Sequence, residues 1–160
     1  MAVPLSRSDD TPILYFYDPE DSNGWLSTFS NHPILLDGIS WPTVEHFFQG
    51  NKFQDQILRE CIRLSRSPSQ AKRLGQSKSH RHPEWSNIKE EIMLRALRAK
   101  FHQHPYLGKM LIETKNAVLV EKSSDDLYWG IGFNGNGLNR LGCLLMVVRD
   151  EMLKRGRDEG

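Results

Sequence analysis

The sequence lacks most of the features that mark a specialised class of protein. Its 160 residues include only two cysteines, Cys61 and Cys143, which stand far apart and outside any paired motif. This spacing excludes a disulfide framework and a zinc ribbon, and the apolar flanks predict two reduced core thiols. No apolar run approaches the roughly 20 residues of a membrane helix. The first residues lack the apolar centre of a signal peptide, so we expect a cytoplasmic protein.

An excess of charge of either sign is also missing. The 21 basic and 20 acidic side chains give a formal net charge of +1, which argues against binding nucleic acid through bulk electrostatics. A hydrophobic fraction of 38% and a charged fraction of 26% are typical of a globular chain. The length suits one domain, which we place at residues 12–156, after a flexible leader at residues 1–11.

The apolar pattern predicts an α+β fold that is mostly helical, with a few short strands. Ile13–Tyr17 and Ala117–Glu121 are apolar runs typical of strands, and the Asp37-Gly38 pair predicts a tight hairpin turn. N-cap and stop signals place the helices. They are expected at residues 44–53, after Asp55 (with an apolar stripe at Ile57, Leu58, Cys61 and Ile62), from Ser67 to Gly75, at about 86–102, after Pro105, and from Asn139 to about Lys154.

The first candidate for chemistry is the helix predicted after the hairpin. Glu45, Gln49 and Lys52 are spaced i, i+4, i+7, which places a carboxylate, an amide and an ammonium in one row. The aromatic neighbours predict that much of this helix is buried, and a buried Glu or Lys is rare unless it is paired or functional. An exposed polar face is the alternative interpretation of the same spacing.

The second candidate is the glycine-rich stretch from Ser123 to Leu138, which precedes a helix start. Backbone N–H groups of such a loop, together with a helix N-terminus, attract anions, and Arg140 adds a fork-shaped donor. The spacing matches neither the Rossmann fingerprint nor a P-loop. A flexible surface loop is the alternative.

Other kinds of site have little support in the sequence. Trp85 lies near a helix start, where an indole can stack on a planar base, although a tryptophan is more often a core residue. The histidines occur as pairs two residues apart, without an HExxH motif or a cysteine partner, so no metal is expected. No cofactor motif is present, and no G-x-S-x-G elbow supports a nucleophilic serine.

Taken together, these segments resemble the NADAR family of YbiA-like proteins. The resemblance runs from about Ile13 to Leu153, and the order and number of its motifs make a chance match a poor explanation. The motifs are F-S-N at 29–31, W-P-T-x-E-H-F-F-Q-x-x-K-F at 41–53, Trp85, A-L-R-A-K-F at 96–101, Y-W-G at 128–130 and G-x-G-x-N-R-L-G at 135–142. The resemblance implies an α+β, largely helical fold.

The resemblance also implies an activity, because members of the family are N-glycosidases. Some resemble hydrolases of phosphorylated riboflavin-pathway intermediates that release ribose 5-phosphate, and others remove ADP-ribose from guanine bases. We therefore expect an enzyme acting on a nucleotide-like small molecule, foremost ADP-ribosyl guanine, free or in DNA, with riboflavin intermediates as the alternative. A non-catalytic module that binds ADP-ribose is a third interpretation, against which intact Glu45, Lys52 and Asp126 argue.

Carried over residue by residue, the resemblance assigns three catalytic positions, Glu45, Lys52 and Asp126. One departure from the family pattern bears on substrate choice, because Ile131-Gly132-Phe133 replaces an acidic residue next to glycine in many members. The positions that the resemblance assigns to substrate binding are Ser30, Asn31, Gln49, Trp85, Lys100, Trp129, Gly130, Asn139 and Arg140.

Two mechanisms fit these positions. Breaking a ribosyl C–N bond builds positive charge on the sugar and negative charge on the base, so Glu45 and Asp126 are expected to share acid, base and charge-stabilising work. Alternatively, Lys52 attacks C1 of the ribose and forms a Schiff base, provided that burial lowers its pKa. In both cases an indole stacks on the base, and the glycine loop holds phosphate.

Overall fold

The computed structural model describes residues 10–160. Most of the leader predicted at residues 1–11 lies outside the described residues. Within them, helices dominate and the strands are short, which confirms the α+β, mostly helical class. The elements are β1 (Ile13–Phe16), a single 3-10 turn (Gly24–Leu26), β2 (Ile34–Leu36), β3 (Ile39–Trp41), α1 (Val44–Gly50), α2 (Gln56–Arg63), α3 (Pro68–Leu74), α4 (Trp85–Gln103), α5 (Pro105–Glu113), β4 (Val118–Glu121) and α6 (Arg140–Asp158).

The chain divides into two compact units. The terminal unit consists of the chain up to Ser27 together with Tyr106–Gly160, and the central unit is Thr28–Pro105. The placement of one domain at residues 12–156 stays a prediction. None of the helices in residues 10–160 combines the length and the apolar composition that are needed to cross a membrane.

The terminal unit is built on a parallel pair of strands that are distant in sequence. In this pair, β1 lies beside β4 with Ile13 opposite Val118. One face of α6 packs against β4, and its apolar residues at 141, 144, 145 and 148 are buried. A side chain at Gly142 would bring a Cβ within 2.0 Å of the Leu119 carbonyl oxygen, so glycine allows this close approach.

The central unit begins with the predicted hairpin. Strands β2 and β3 pair antiparallel, and Asp37 and Gly38 have φ values of 54° and 76°, as a type I′ turn requires. Gln103, the last residue of α4, holds β2 through its side-chain amide. This amide donates to the Leu35 carbonyl at 2.7 Å and accepts from the Leu35 N–H at 2.8 Å. These bonds occupy main-chain groups that an edge strand otherwise leaves open.

Helix α1 is the core of the central unit, in contact with α2, α3 and α4. All seven of its residues are buried. Its N-cap is Thr43, as predicted, and Asp55 and Ser67 likewise cap α2 and α3 through their side-chain oxygens. A smaller cluster of Phe53, Ile62 and Ala71 joins α2 and α3 to the segment after α1.

The structure corrects two sequence predictions in this unit. Helix α1 ends at Gly50 and not at Phe53, because Asn51 donates its side-chain amide to the Phe47 carbonyl and Phe53 pairs with Arg81. The core stripe predicted for α2 is wrong at Ile57, which is 78% exposed, and at Cys61, which is also exposed. These two residues share the outward row of α2, four positions apart, while Ile62 faces the core. The other cysteine, Cys143, is partly buried.

Candidate active site

Helix α1 directs a carboxylate and an amide side chain toward the protein interior. Glu45 is 5% exposed and Gln49 is 3% exposed, one helical turn apart on the same face. The Thr43 hydroxyl fixes the start of the helix by accepting from the His46 N–H at 3.2 Å. The burial predicted for this helix is therefore confirmed, and the alternative of an exposed polar face is wrong for these two residues.

Both oxygens of the Glu45 carboxylate are held by neutral hydrogen-bond donors. The Thr28 hydroxyl donates to Oε2 at 2.7 Å, and the Gln49 amide donates to Oε1 at 2.7 Å. The Glu45 N–H in turn donates to the Thr28 carbonyl at 3.1 Å. A buried carboxylate needs such partners, and two of them on opposite oxygens fix its orientation. The sequence reasoning missed Thr28, which stands immediately before the F-S-N motif.

The amide oxygen of Gln49 faces Gly75, the residue that ends α3. This Oε1 atom is buried and has no hydrogen-bond partner within residues 10–160. A Cβ at position 75 would lie 1.9 Å from it. The φ angle of Gly75 is −69°, which any residue adopts, so glycine is required here for space and not for backbone freedom.

Gly75→Ala should therefore destabilise the protein by about 1–3 kcal/mol, because the added methyl group overpacks the Gln49 amide. The free energy of unfolding in denaturant, measured for Gly75→Ala, for Gln49→Ala and for the double variant, gives the effect. We expect most of the cost to vanish in the double variant, since the two closest atoms, Oε1 and Cδ of Gln49, are gone and only its Cβ, at 3.1 Å, remains. Gly156→Ala is the control, because nothing lies within 4 Å of its new Cβ and a helical alanine stabilises by up to ~1 kcal/mol. Additive costs at positions 49 and 75 would contradict the contact.

Lys52 lies just beyond the end of α1, so it leaves the helical row that the sequence predicted. Its ammonium is partly buried, donates to the Gly75 carbonyl at 3.4 Å and lies 5.7 Å from the centroid of the Phe48 ring. Burial, and after it the positive charge of Arg81, lower its pKa to about 8, while the negative charge of Glu45 opposes the shift. A substantial fraction of Lys52 is therefore a neutral amine at mildly alkaline pH.

Trp85 is a mostly buried residue that packs on Phe48. It is the first residue of α4, is 7% exposed, and its ring centroid lies 5.0 Å from that of Phe48. Phe48 thus contacts both the indole and the Lys52 ammonium. The indole packs against the Phe48 ring, which in turn lies beside the Lys52 ammonium. Stacking of the indole on a base stays a prediction.

Three further predicted binding residues of the central unit differ in accessibility. Ser30 is buried and bonded to the His32 ring nitrogen Nδ1 at 2.9 Å, whereas Asn31 is exposed. Lys100 has no exposed surface, and burial lowers its pKa to about 7. The Lys100 ammonium is therefore closed to direct substrate contact in this structure, because the residue lies on the inner face of α4.

In the terminal unit, Asp126 orders the loop that carries the Y-W-G motif. Its Oδ1 accepts from the N–H groups of Tyr128 and Trp129, at 3.0 and 2.8 Å. The rings of these two aromatic residues meet edge to face with centroids 4.9 Å apart. Gly130 is closely packed, since a Cβ there would lie 2.8 Å from Ser123 Cβ. Roles of Asp126 and Trp129 in chemistry or binding stay predictions.

The start of α6 differs from the phosphate cradle that the sequence suggested. The N–H groups of residues 138–141 donate to carbonyls within the loop, those of Leu127, Gly130, Tyr128 and Trp129. The Asn139 side-chain amide forms two hydrogen bonds with β4: its Oδ1 accepts from the Glu121 N–H, and its Nδ2 donates to the Leu119 carbonyl. Asn139 is thus a structural link, and these N–H groups are not available to an anion. Arg140 is partly exposed.

Two surface clefts are lined by other residues. One, of about 430 Å³, lies beside β1 in the terminal unit and is lined by residues such as Tyr15, Asn23 and Lys122. The other is an apolar surface on α2 around Ile57 and Cys61. Neither contains a predicted site residue, and neither has the buried, hydrogen-bonded acid that distinguishes α1. Within residues 10–160, no three His, Cys, Asp or Glu side chains form a metal-binding group.

Comparison with known proteins agrees with the α+β, mostly helical fold. The model of the NADAR domain family matches residues 15–153. A Shigella flexneri protein named N-glycosidase YbiA is 47% identical over 141 residues, covering 88% of each chain. A chloroplastic Zea mays protein named riboflavin biosynthesis protein PYRR is 41% identical over 160 residues, covering 90% of this chain and 26% of that protein. The NMR structure of the E. coli protein YbiA matches with a TM-score of 0.86 at 42% identity, covering 97% of this chain and 93% of that one.

Proposed function

The chain belongs to the NADAR domain family, and from that premise we propose that it is an N-glycosidase that hydrolyses the bond between a ribosyl C1 and a base nitrogen. The observation that carries the proposal is the Glu45 carboxylate, buried in α1, held by Thr28 and Gln49 and electrostatically coupled to Lys52. The Shigella flexneri relative, which matches this chain over 88% of each length, is named an N-glycosidase, and this name supports the same reaction class.

The geometry favours the route through Lys52. The neutral amine attacks C1, the C1–N bond breaks, and the base departs with the bonding electrons and a proton that the amine has lost, relayed by Glu45. The ring then opens at its C1–O bond with uptake of one proton, which leaves a protonated Schiff base on Lys52. Water adds to C1, releases the sugar as an aldehyde and returns that proton, so the net reaction consumes one water molecule.

Glu45 has two tasks in this scheme. Its fixed negative charge stabilises the positive charge that develops on the ribose, and its free lone pairs carry the proton between amine and base. Because Thr28 and Gln49 are neutral donors, they orient the carboxylate without forming an ion pair with it. Participation of Asp126 in acid–base work remains part of the proposal, next to its observed role in ordering the loop.

Two substrate classes are proposed, and one assay compares them. The Zea mays relative is named for riboflavin biosynthesis, which supports riboflavin intermediates as one class. The family resemblance implies phosphorylated riboflavin intermediates as well as ADP-ribosyl guanine, free or in DNA. We expect kcat/KM for the physiological class to exceed that of the other by at least about 10²-fold, measured by mass spectrometry of the released base. Binding of ADP-ribose without cleavage of either class would instead indicate a non-catalytic module.

Thr28→Val should lower kcat about tenfold, because it removes one of the two donors that orient Glu45 and leaves a carboxylate oxygen buried without a partner. Thr28→Ser keeps the hydroxyl and is the matched control, expected to stay within about threefold of the wild-type rate. A folded Thr28→Val enzyme that turns over as fast as the wild-type protein and Thr28→Ser would exclude this positioning role.

A further inference from the structure

Two cations converge on the carbonyl group of Gly75, the residue that faces the Gln49 side chain. Lys52 and Arg81 both donate to the Gly75 oxygen, at 3.4 and 3.3 Å, so their charged groups lie within two hydrogen-bond lengths of each other. Like charges this close raise the energy of both unless an anion joins them. Neither residue has a carboxylate within salt-bridge distance in the part of the chain that the structure describes.

Arg81 has donors to spare at this point. Its hydrogen bonds to the carbonyls of Gly75 and Ser77 both come from Nη2. Its Nε atom is buried and has no hydrogen-bond partner within residues 10–160. A guanidinium has five N–H donors arranged to match the oxygens of a carboxylate or phosphate, and buried donors are rarely left unpaired.

Lys72 extends the positive charge. It lies on α3, its side chain is exposed, and its ammonium is 5.9 Å from the centroid of the Phe29 ring. Its charge acts on Lys52, as does that of Lys89, since both lower the pKa of the Lys52 amine. The central unit therefore carries a local surplus of positive charge beside its buried acid, although the net charge of the whole chain is only +1.

We propose that Arg81, together with Lys72, binds the 5′-phosphoryl group of the ribosyl substrate. This inference rests on the proposed N-glycosidase function. A ribose that presents C1 to Lys52 and Glu45 carries its 5′ substituent one sugar ring away. Arg81 shares the Gly75 carbonyl with Lys52, and Lys72 is the exposed cation of α3 whose charge also acts on Lys52. The N–H groups at the start of α6, which the sequence suggested for this task, are bonded to loop carbonyls.

Binding of ribose 5-phosphate and of ADP-ribose, measured by calorimetry on the intact protein, tests the proposal. Arg81→Gln should weaken binding about 10–100-fold and Lys72→Gln about 3–10-fold, because each removes a charge-assisted contact. Arg73→Gln, which removes an exposed charge from the next position of α3, is the control and should change affinity less than twofold. Lys72 is exposed, so its variant should fold even if loss of the Arg81 bonds to two carbonyls destabilises the protein.

The outcomes separate the subsite from the reaction. Weakened binding of ribose 5-phosphate alone assigns the cations to a terminal phosphate, and weakened binding of ADP-ribose as well assigns them to a phosphoryl group common to both. Wild-type affinity for both ligands in a folded Lys72→Gln and a folded Arg81→Gln variant would overturn the proposal, whether or not base is released. Arg81-dependent binding without cleavage of any N-glycoside would keep the subsite and reject the proposed function.

Discussion

Glu45→Gln is expected to reduce kcat for base release about 10³-fold while leaving the fold intact. Glutamine has the shape of glutamate but neither its negative charge nor its ability to relay a proton. The surroundings accept the change, because the carbonyl of the introduced amide can face the Gln49 amide and its NH₂ group can donate to the Thr28 hydroxyl. Steady-state kinetics with the better of the two substrate classes measures the loss.

The control for this variant is Glu91→Gln, which removes an exposed carboxylate from α4. We expect its rate to stay within about twofold of wild type, since screened surface charges contribute little. The thermal midpoint of Glu45→Gln should stay close to that of the wild-type protein. Near-normal turnover in a folded Glu45→Gln variant would remove Glu45 from the chemistry.

Lys52→Arg is expected to lower kcat by at least about 10²-fold and to abolish a covalent adduct with substrate that borohydride traps in the wild-type protein. Arginine keeps the positive charge but has no amine that deprotonates in this pH range. Reduction of the Schiff base leaves a stable secondary amine, which peptide mapping can assign to Lys52. Lys78→Arg, a substitution at an exposed position, is the matched control and should trap normally.

The wild-type pH profile should report the same group. The attacking species is the neutral amine, and the pKa of Lys52 is lowered to about 8 from the ordinary value near 10.5. The rate should therefore rise with pH up to about 8 and level off above it, whereas an unperturbed lysine would give a rise up to about 10.5. Trapping of substrate on Lys100, or normal trapping in Lys52→Arg, would contradict this role.

The local features of the fold could be predicted from sequence, because they depend on neighbouring residues. The caps at Thr43, Asp55 and Ser67 bond to N–H groups two or three positions on, and Asp37-Gly38 needs only its own backbone angles. The end of α1 could not be predicted in the same way. It depends on the pairing of Phe53 with a residue 28 positions later, which no local pattern encodes.

The candidate site shows the same contrast between features set by neighbouring residues and features set by distant ones. The spacing of Glu45 and Gln49 placed them on one helical face, and the structure buries both. Thr28, Gly75 and Arg81 join them from segments far away in sequence, so spacing carried no sign of them. Composition also could not show that the N–H groups of residues 138–141 donate to carbonyls of the loop itself, because these bonds depend on the folded backbone.

The most direct test of the central claim is the product balance of the wild-type protein with a 5′-phosphorylated ribosyl N-glycoside. Chromatography with mass detection should find free base and ribose phosphate in equal amounts, formed at a rate that depends on Glu45. An intact glycosidic bond after prolonged incubation with both substrate classes, in a protein that is folded and binds ribose 5-phosphate, would contradict the account.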